Sequence, residues 1–283
     1  MTLSSIPPRF SSLGPSLKSL LAQTSRPEAV ELYIPRSYRR FPQWSGGLPE
    51  VPEGVRIVRV EEDLGPATKV LPAAKAYRGQ DIEILYVDDD RHYDRNIAAA
   101  FLKCRRHHPG EALCTEAMSI SELGYDWVAS GPLPRAFRDI RPFSVFRRSV
   151  LRAVDRTFPR YFGQVRLKAF QTRFSASGYG DVAEGFGGVL VRPEFFDDAV
   201  SDIPPILWAV DDVWISGHLT RRGIPIWVEM AGARISNIGD MNETFALYRA
   251  ELDGARRDDA NRACVDYMRE TYGIWGGKAA QST

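Results

Sequence analysis

The chain has 283 residues, a formal net charge of +1, 44% hydrophobic and 26% charged residues. This is enough chain for one large domain or two small ones with a sizeable core. A charge this close to zero excludes a molecule built as a whole to attract nucleic acid or another polyanion.

The cysteines, Cys104, Cys114 and Cys264, are odd in number, widely spaced and without a C-x-x-C pair. That argues against a disulfide scaffold and a structural zinc site, and makes a reducing cytoplasm the expected compartment. His107-His108 precedes Pro109-Gly110 and reads as a helix end. No apolar run is long enough to span a bilayer, and no basic-then-apolar leader opens the chain. A soluble or peripheral protein is expected.

In chain order, residues 1–6 read as the end of a strand, stopped by Pro7-Pro8. Residues 13–23 have helical spacing through Leu17, Leu20 and Leu21. Residues 29–34 and 55–60 read as strands. Residues 63–69 form a loop that opens a helix, with Pro66 in its first turn. Residues 82–87 are a third clear strand. Residues 93–106 are predicted helical, with Ile97, Ala100, Phe101 and Cys104 on one face. Residues 124–182 are less regular and rich in arginine. A block at 184–193 contains Gly187-Gly188, and a helix starts near Asp211-Asp212. Residues 224–228 are a strand, 241–272 a polar-faced helix, and 276–283 a tail. Strands alternating with helices imply α/β layering around a mainly parallel sheet.

Asp88-Asp89-Asp90 follows the apolar strand 82–87. Three adjacent carboxylates at a buried strand end repel one another and resist desolvation. Read alone, the triplet is either a solvated turn or a site where a hard cation or an array of donors compensates the charge. Ligands of parallel sheets bind outside the carboxyl ends of strands. That edge also receives the Pro7–Arg9 turn and the Asp63–Lys69 loop.

Three ordered motifs, residues 2–9 with the Leu-rich helix, residues 62–69 with the acidic triplet about twenty residues on, and Gly187-Gly188 followed by Asp211-Asp212-Val213-Trp214, together resemble the GT-A class of nucleotide-sugar glycosyltransferases of bacterial polysaccharide type. The resemblance covers most of residues 1–240. It implies a GT-A (Rossmann-like) mixed, mainly parallel sheet flanked by helices, with an acceptor-side insertion and a helical C-terminus. Residues 1–123 would be the nucleotide-sugar-binding half of one domain, 124–240 the acceptor-binding and catalytic half, and 241–283 a C-terminal extension and tail. Two features depart from the family: few residues precede Pro7, and no histidine follows His218 as a late metal ligand. Asn237 or Asp240 is the substitute expected.

The resemblance assigns a divalent cation, Mn2+ or Mg2+, to Asp90 and Asp88, with Asp88 near the ribose and Asp89 near the sugar. A metal bridging the diphosphate would stabilise the charge of the leaving group. Pro7, Arg9, Asp63 and Lys69 would complete the donor site. Asp63 and Lys69 are otherwise a surface ion pair or cap, and Lys69 alternatively neutralises phosphate. Asp212, with Asp211 beside it, would be the general base that activates the acceptor hydroxyl, which implies inversion; read alone, the pair is a helix N-terminal cap. Gly187-Gly188 would let the backbone approach the donor sugar. Trp214 and Phe186 would face the acceptor, unless they are core. His218, about one turn after Trp214, is a lesser candidate.

Residues 135–173 hold eleven basic side chains against Asp139 and Asp155. Phe143, Phe146, Val150, Val154 and Phe158 recur among them at helical spacing. The stripe either packs on the core or lies on an anionic membrane surface. No interleaved aromatic platform supports nucleic-acid binding.

The expected protein is a metal-dependent glycosyltransferase. It moves sugar from a nucleoside diphosphate donor, UDP-linked, to a cell-surface glycan or lipid-linked glycan, in the cytoplasm or at the inner face of the plasma membrane. A sugar nucleotidyltransferase is the alternative, although residues 4–9 lack its Gly-rich phosphate loop. The non-enzyme alternative is a sugar- or membrane-surface-binding module.

Overall fold

The computed structural model describes residues 1–127, 129, 131–138, 142–169, 174–230, 235–238 and 257–276. Asp139, Arg141, Arg173, Asp240, the expected helical stretch 241–256 and the tail from 277 lie outside the described residues.

The first half contains β1 (Thr2–Ser4), α1 (Gly14–Leu21), β2 (Val30–Pro35), β3 (Val55–Val60), α2 (Leu71–Ala76), β4 (Ile84–Tyr86), β5 (Arg91–Tyr93), α3 (Ile97–Arg105), β6 (Ala112–Cys114) and β7 (Ala117–Met118). The second half contains β8 (Phe137–Arg138), α4 (Pro142–Thr157), β9 (Arg160–Phe162), β10 (Val165–Ala169), β11 (Phe174–Ala176), β12 (Gly178–Gly180), β13 (Val182–Ala183), β14 (Val189–Val191), α5 (Asp211–Arg221), β15 (Ile226–Val228), β16 (Ile235–Ile238) and α6 (Arg257–Tyr272).

The central sheet has eight strands in the order β12-β15-β6-β14-β4-β1-β2-β3. The pairs β4–β1, β1–β2, β2–β3 and β15–β6 are parallel. β14 runs against both of its neighbours, and β12 against β15. The architecture is therefore mixed α/β with a mainly parallel central sheet flanked by helices, as the alternation of elements implies. A second sheet, β5-β16-β10-β9, is antiparallel throughout.

Period-two patterning divides the core between the two faces of the central sheet. Val30, Leu32 and Ile34 of β2, with Leu3, Leu85, Leu113 and Leu190, pack with Leu17 and Leu20 of α1 and Phe101 of α3. Tyr33, Ile84, Tyr86, Cys114, Val189 and Val191 face the other way, onto Val213 and Ile215 of α5 and Cys264, Val265 and Met268 of α6. β2 is buried along its whole length, and Glu31 within it is satisfied by Arg56 and by the hydroxyls of Tyr33 at 2.8 Å and Tyr77 at 2.6 Å.

The predicted strand at 55–60 matches β3, and the predicted helix at 13–23 contains α1. The predicted helix at 93–106 requires correction at its start. Tyr93 closes β5, pairing with Ile235 of β16, and α3 begins at Ile97. Residues 65–69 form a short 3-10 turn with Pro66 at its start, ahead of α2.

Candidate functional site

Because β1 to β4 run in one direction, the segments after all four emerge at one edge of the sheet. Each segment lines a single cleft open to solvent: Ser5, Ile6 and Arg9 after β1, Tyr38, Arg40 and Phe41 after β2, Asp63, Thr68 and Lys69 after β3, and Asp88 and Asp89 after β4. Trp208, Asp211 and Asp212, at the start of α5, complete it. β14 runs the other way, so the turn that precedes it, Gly185–Gly187, reaches the same edge.

Lys69 sits at the junction of the two acidic stretches. Its Nζ lies 2.6 Å from Asp88 Oδ1 and 2.9 Å from Asp211 Oδ2, with the side chain 6% exposed. Burial alone would lower the pKa of this ammonium. Asp211, Asp88 and Asp212 outweigh burial and hold it well above the usual lysine value. It is a permanent cation, not the surface lysine of the simplest sequence reading.

Asp89 accepts hydrogen bonds from Ser5 Oγ at 2.5 Å and Arg9 Nη1 at 2.7 Å. Asp90 is not among the residues that line the cleft. Arg91 Nε lies 3.2 Å from its Oδ1, and Arg9 Nη2 lies 3.5 Å from its Oδ2. Burial, with help from Asp89 and Asp88 and against the pull of Arg91 and Arg9, pushes the Asp90 carboxyl up to about 6. The Asp88 N–H donates to Tyr93 Oη at 2.9 Å, and the Tyr93 hydroxyl donates to Phe186 O at 3.1 Å. The short strand β5 thus anchors the triplet.

On the other wall Asp212 Oδ1 accepts the Gly185 N–H at 2.9 Å. Asp211 and Asp212 occupy the first turn of α5, where the helix dipole favours carboxylates. Asp63 accepts the N–H groups of Arg39 at 2.8 Å and Gly65 at 3.0 Å. Burial nevertheless leaves its pKa raised above the usual aspartate value. The Trp208 indole N–H donates to Asp63 O at 2.8 Å and ties the loop to the approach of α5.

Other predicted site residues fall elsewhere. Trp214 is 1% exposed and its indole N–H donates to Val200 O at 2.8 Å, so it packs in the core and offers no ring face to an acceptor. His218 packs against Trp214 with the ring planes tilted by 48°, and is also fully buried. Burial first, then Arg221, lowers its pKa to about 3, so it stays neutral. Phe186 lies outside the cleft lining with the Arg91 guanidinium 4.8 Å from its ring centre. Pro7 starts the 3-10 turn that delivers Arg9 without itself lining the cleft. A Cβ at Gly187 would come within 2.6 Å of Thr115 Oγ1, and one at Gly188 within 3.5 Å of Leu85 and Phe101, so both glycines face protein. The glycine pressed against the site is Gly185, where a Cβ would lie 2.5 Å from Lys69 Nζ.

Among the described residues no group of three or more His, Cys, Asp or Glu side chains is arranged to hold a metal ion. The oxygen donors present nonetheless suit a hard cation that shares its shell with phosphates. Magnesium takes only one or two carboxylates in such sites. Asp88 faces the cleft, the buried Oδ1 of Asn237 has no hydrogen-bond partner, and Asp90 Oδ1 has only its ion pair with Arg91. Asn237 of β16 stands opposite Arg91, and the next residue, Ile238, donates its N–H to Asp90 O at 3.3 Å.

Sequence reading missed Ser5, Tyr38, Arg40, Phe41, Tyr93 and Trp208. The segment after β2 follows the same sheet-edge rule as the other three, so Tyr38 to Phe41 were within reach of it. The Trp208 contact joins distant parts of the chain and left no local signal.

No protein-family model matches the chain, and no curated protein sequence matches it. Among solved structures it is similar to residues 1–349 of S. aureus TarS, with a TM-score of 0.43 and 13% identity over 97% of this chain and 72% of that one. Against the same protein in complex with UDP-GlcNAc the TM-score is 0.39, at 12% identity, over 92% of this chain and 68% of that one. Against its complex with UDP the values are 0.38, 13%, 89% and 66%.

Proposed function

We propose that the chain is a glycosyltransferase of GT-A type that takes a nucleoside diphosphate sugar, UDP-linked, and passes the sugar to a glycan or lipid-linked glycan acceptor. The observation that carries the proposal is the convergence of Arg9, Asp63, Lys69, Asp88, Asp89, Asp211 and Asp212 on one cleft at the carboxyl edge of the parallel strands. That edge is where such sheets bind nucleotides.

In this reading Asp63 and the segment after β2 hold the nucleoside, and Arg9 and Lys69 supply positive charge toward the diphosphate. A divalent cation, Mn2+ or Mg2+, held by Asp88 and Asp90, would add charge stabilisation on the departing nucleoside diphosphate. Asp212 takes the proton of the acceptor hydroxyl. The acceptor oxygen then bonds to the anomeric carbon as the bond from that carbon to the diphosphate oxygen breaks, with inversion. The Gly185 N–H bond holds the Asp212 carboxylate in place, and Lys69 forms an ion pair with Asp211 beside it.

Thermal unfolding with UDP, GDP or dTDP, each with and without manganese, tests the donor site. UDP should raise the midpoint, and manganese should enlarge the shift. Asp90→Ala should remove the manganese increment. Asp212→Asn should keep the UDP shift yet lose transfer by at least about a hundredfold. No shift with any nucleotide would overturn the reading, and transfer retained in Asp212→Asn would remove Asp212 from its role.

A further inference from the structure

α4 is a 16-residue helix that wears its apolar side outward. Phe146, Val150 and Val154 succeed one another at steps of four, and Phe158 continues the row just past the helix. Their exposures are 66%, 43%, 49% and 73%. Asp155, on another side of the helix, has its side chain 17% exposed and its carboxylate 3.7 Å from Arg160 Nε of β9. This ion pair joins the helix to the second sheet, and the hydrophobic row is left in water. Tyr161, on the edge strand β9, adds a further large side chain at 60% exposure. A contiguous apolar patch of this kind marks an interaction surface.

Charge identifies the partner. Residues 142–168 hold seven basic residues and one acid, a local +6 in a chain whose net charge is +1. A second copy meeting this face would bring the same charge with it. A nucleic acid backbone would use the arginines but not the Phe–Val row. An anionic lipid surface uses both, with apolar side chains at the acyl boundary and guanidinium groups at the headgroup phosphates. No described helix is long and apolar enough to cross a bilayer, so the element lies on the surface.

We infer that α4 and the adjoining edge strand β9 dock this protein on an anionic lipid bilayer. The second sheet connects that face to the cleft. β5 leaves the acidic triplet, and three strand steps of about 4.8 Å lead through β16 and β10 to β9. Docking would hold the cleft near the bilayer, where a lipid-borne substrate is presented. The inference stands apart from the transferase reading, and its test involves no nucleotide.

The full chain is sedimented with vesicles of phosphatidylcholine alone or mixed with phosphatidylglycerol. The mixed vesicles should bind it at least about tenfold better, and raised salt should weaken that binding. Phe146→Glu/Phe158→Glu changes two exposed side chains, so it should melt as the parent does and lose binding at least about tenfold. Equal binding to both vesicle types, binding to neither, or an unaffected double variant would overturn the inference. So would a dimer that the double variant dissociates, or RNA binding, in a chain that ignores vesicles.

Discussion

Five carboxylates, those of Asp88, Asp89, Asp90, Asp211 and Asp212, meet at one sheet edge, and Lys69 is the cation that joins the group after β4 to the group at α5. Removing one partner of a buried ion pair leaves the other charge uncompensated, which costs about 3–5 kcal/mol. Lys69→Met keeps much of the side-chain volume and removes only the ammonium, so urea unfolding should show a loss of that order. The sign of the pH dependence follows from the raised pKa. Stabilisation by Lys69 is complete below the unfolded lysine value and is lost only as pH climbs through the still higher folded value. The deficit should therefore be constant from about pH 7.5 to pH 9.5. A loss under about 1 kcal/mol would show that the ammonium does not hold the cluster. The triplet and the Asp211-Asp212 pair were legible in the sequence because acidic runs after apolar strands are unusual. The joining role of Lys69 was not, because its partners become neighbours only when β3, β4 and α5 share an edge. Trp214 shows the converse: an aromatic beside an acidic pair suggests a ligand face, and packing by α6 and the segment at Val200 buries it.

Elements long enough to show a period were legible, and short ones were not. β2 and β3 declare themselves through six residues of β-branched and aromatic pattern. β5 has only three residues, and its partner strand β16 lies far along the chain, so Tyr93 looked like the start of α3. The turn before β14 was legible as glycine-rich, but which glycine meets the site depends on the approach of Lys69. The Gly185 N–H fixes Asp212, and its α-carbon leaves no room for a methyl group, which would sit 2.5 Å from Lys69 Nζ and 3.2 Å from Asp212 Oδ1. Held between two carboxylates and buried, Lys69 has nowhere to swing. Gly185→Ala should cost about 1–3 kcal/mol through overpacking and depress transfer more than the UDP-induced thermal shift. Gly14→Ala, whose Cβ meets nothing within 4 Å, is the control and should be neutral or slightly stabilising. Equal behaviour of the two variants would remove the turn from the account of the site.

At the scale of the whole molecule, the helix that carries the acidic pair is braced by the last described helix. α5 packs against the sheet on one side and receives α6 on the other, with Cys264, Val265 and Met268 fully buried. The contact is close enough that a Cβ at Gly217 of α5 would lie 2.7 Å from Met268 Sδ. α6 is thus part of the principal core, not an appendage, and its removal would expose the apolar side of α5 directly behind Asp211 and Asp212. Met268→Ala should cost about 2–5 kcal/mol, the range for a buried large-to-small change. It should also weaken the UDP-induced shift, because α5 would lose its backing. A chain ending at residue 240 should fail to unfold cooperatively in calorimetry. If that shortened chain instead melts in a single sharp transition and still responds to UDP, the brace is dispensable and the sheet alone positions the acidic pair.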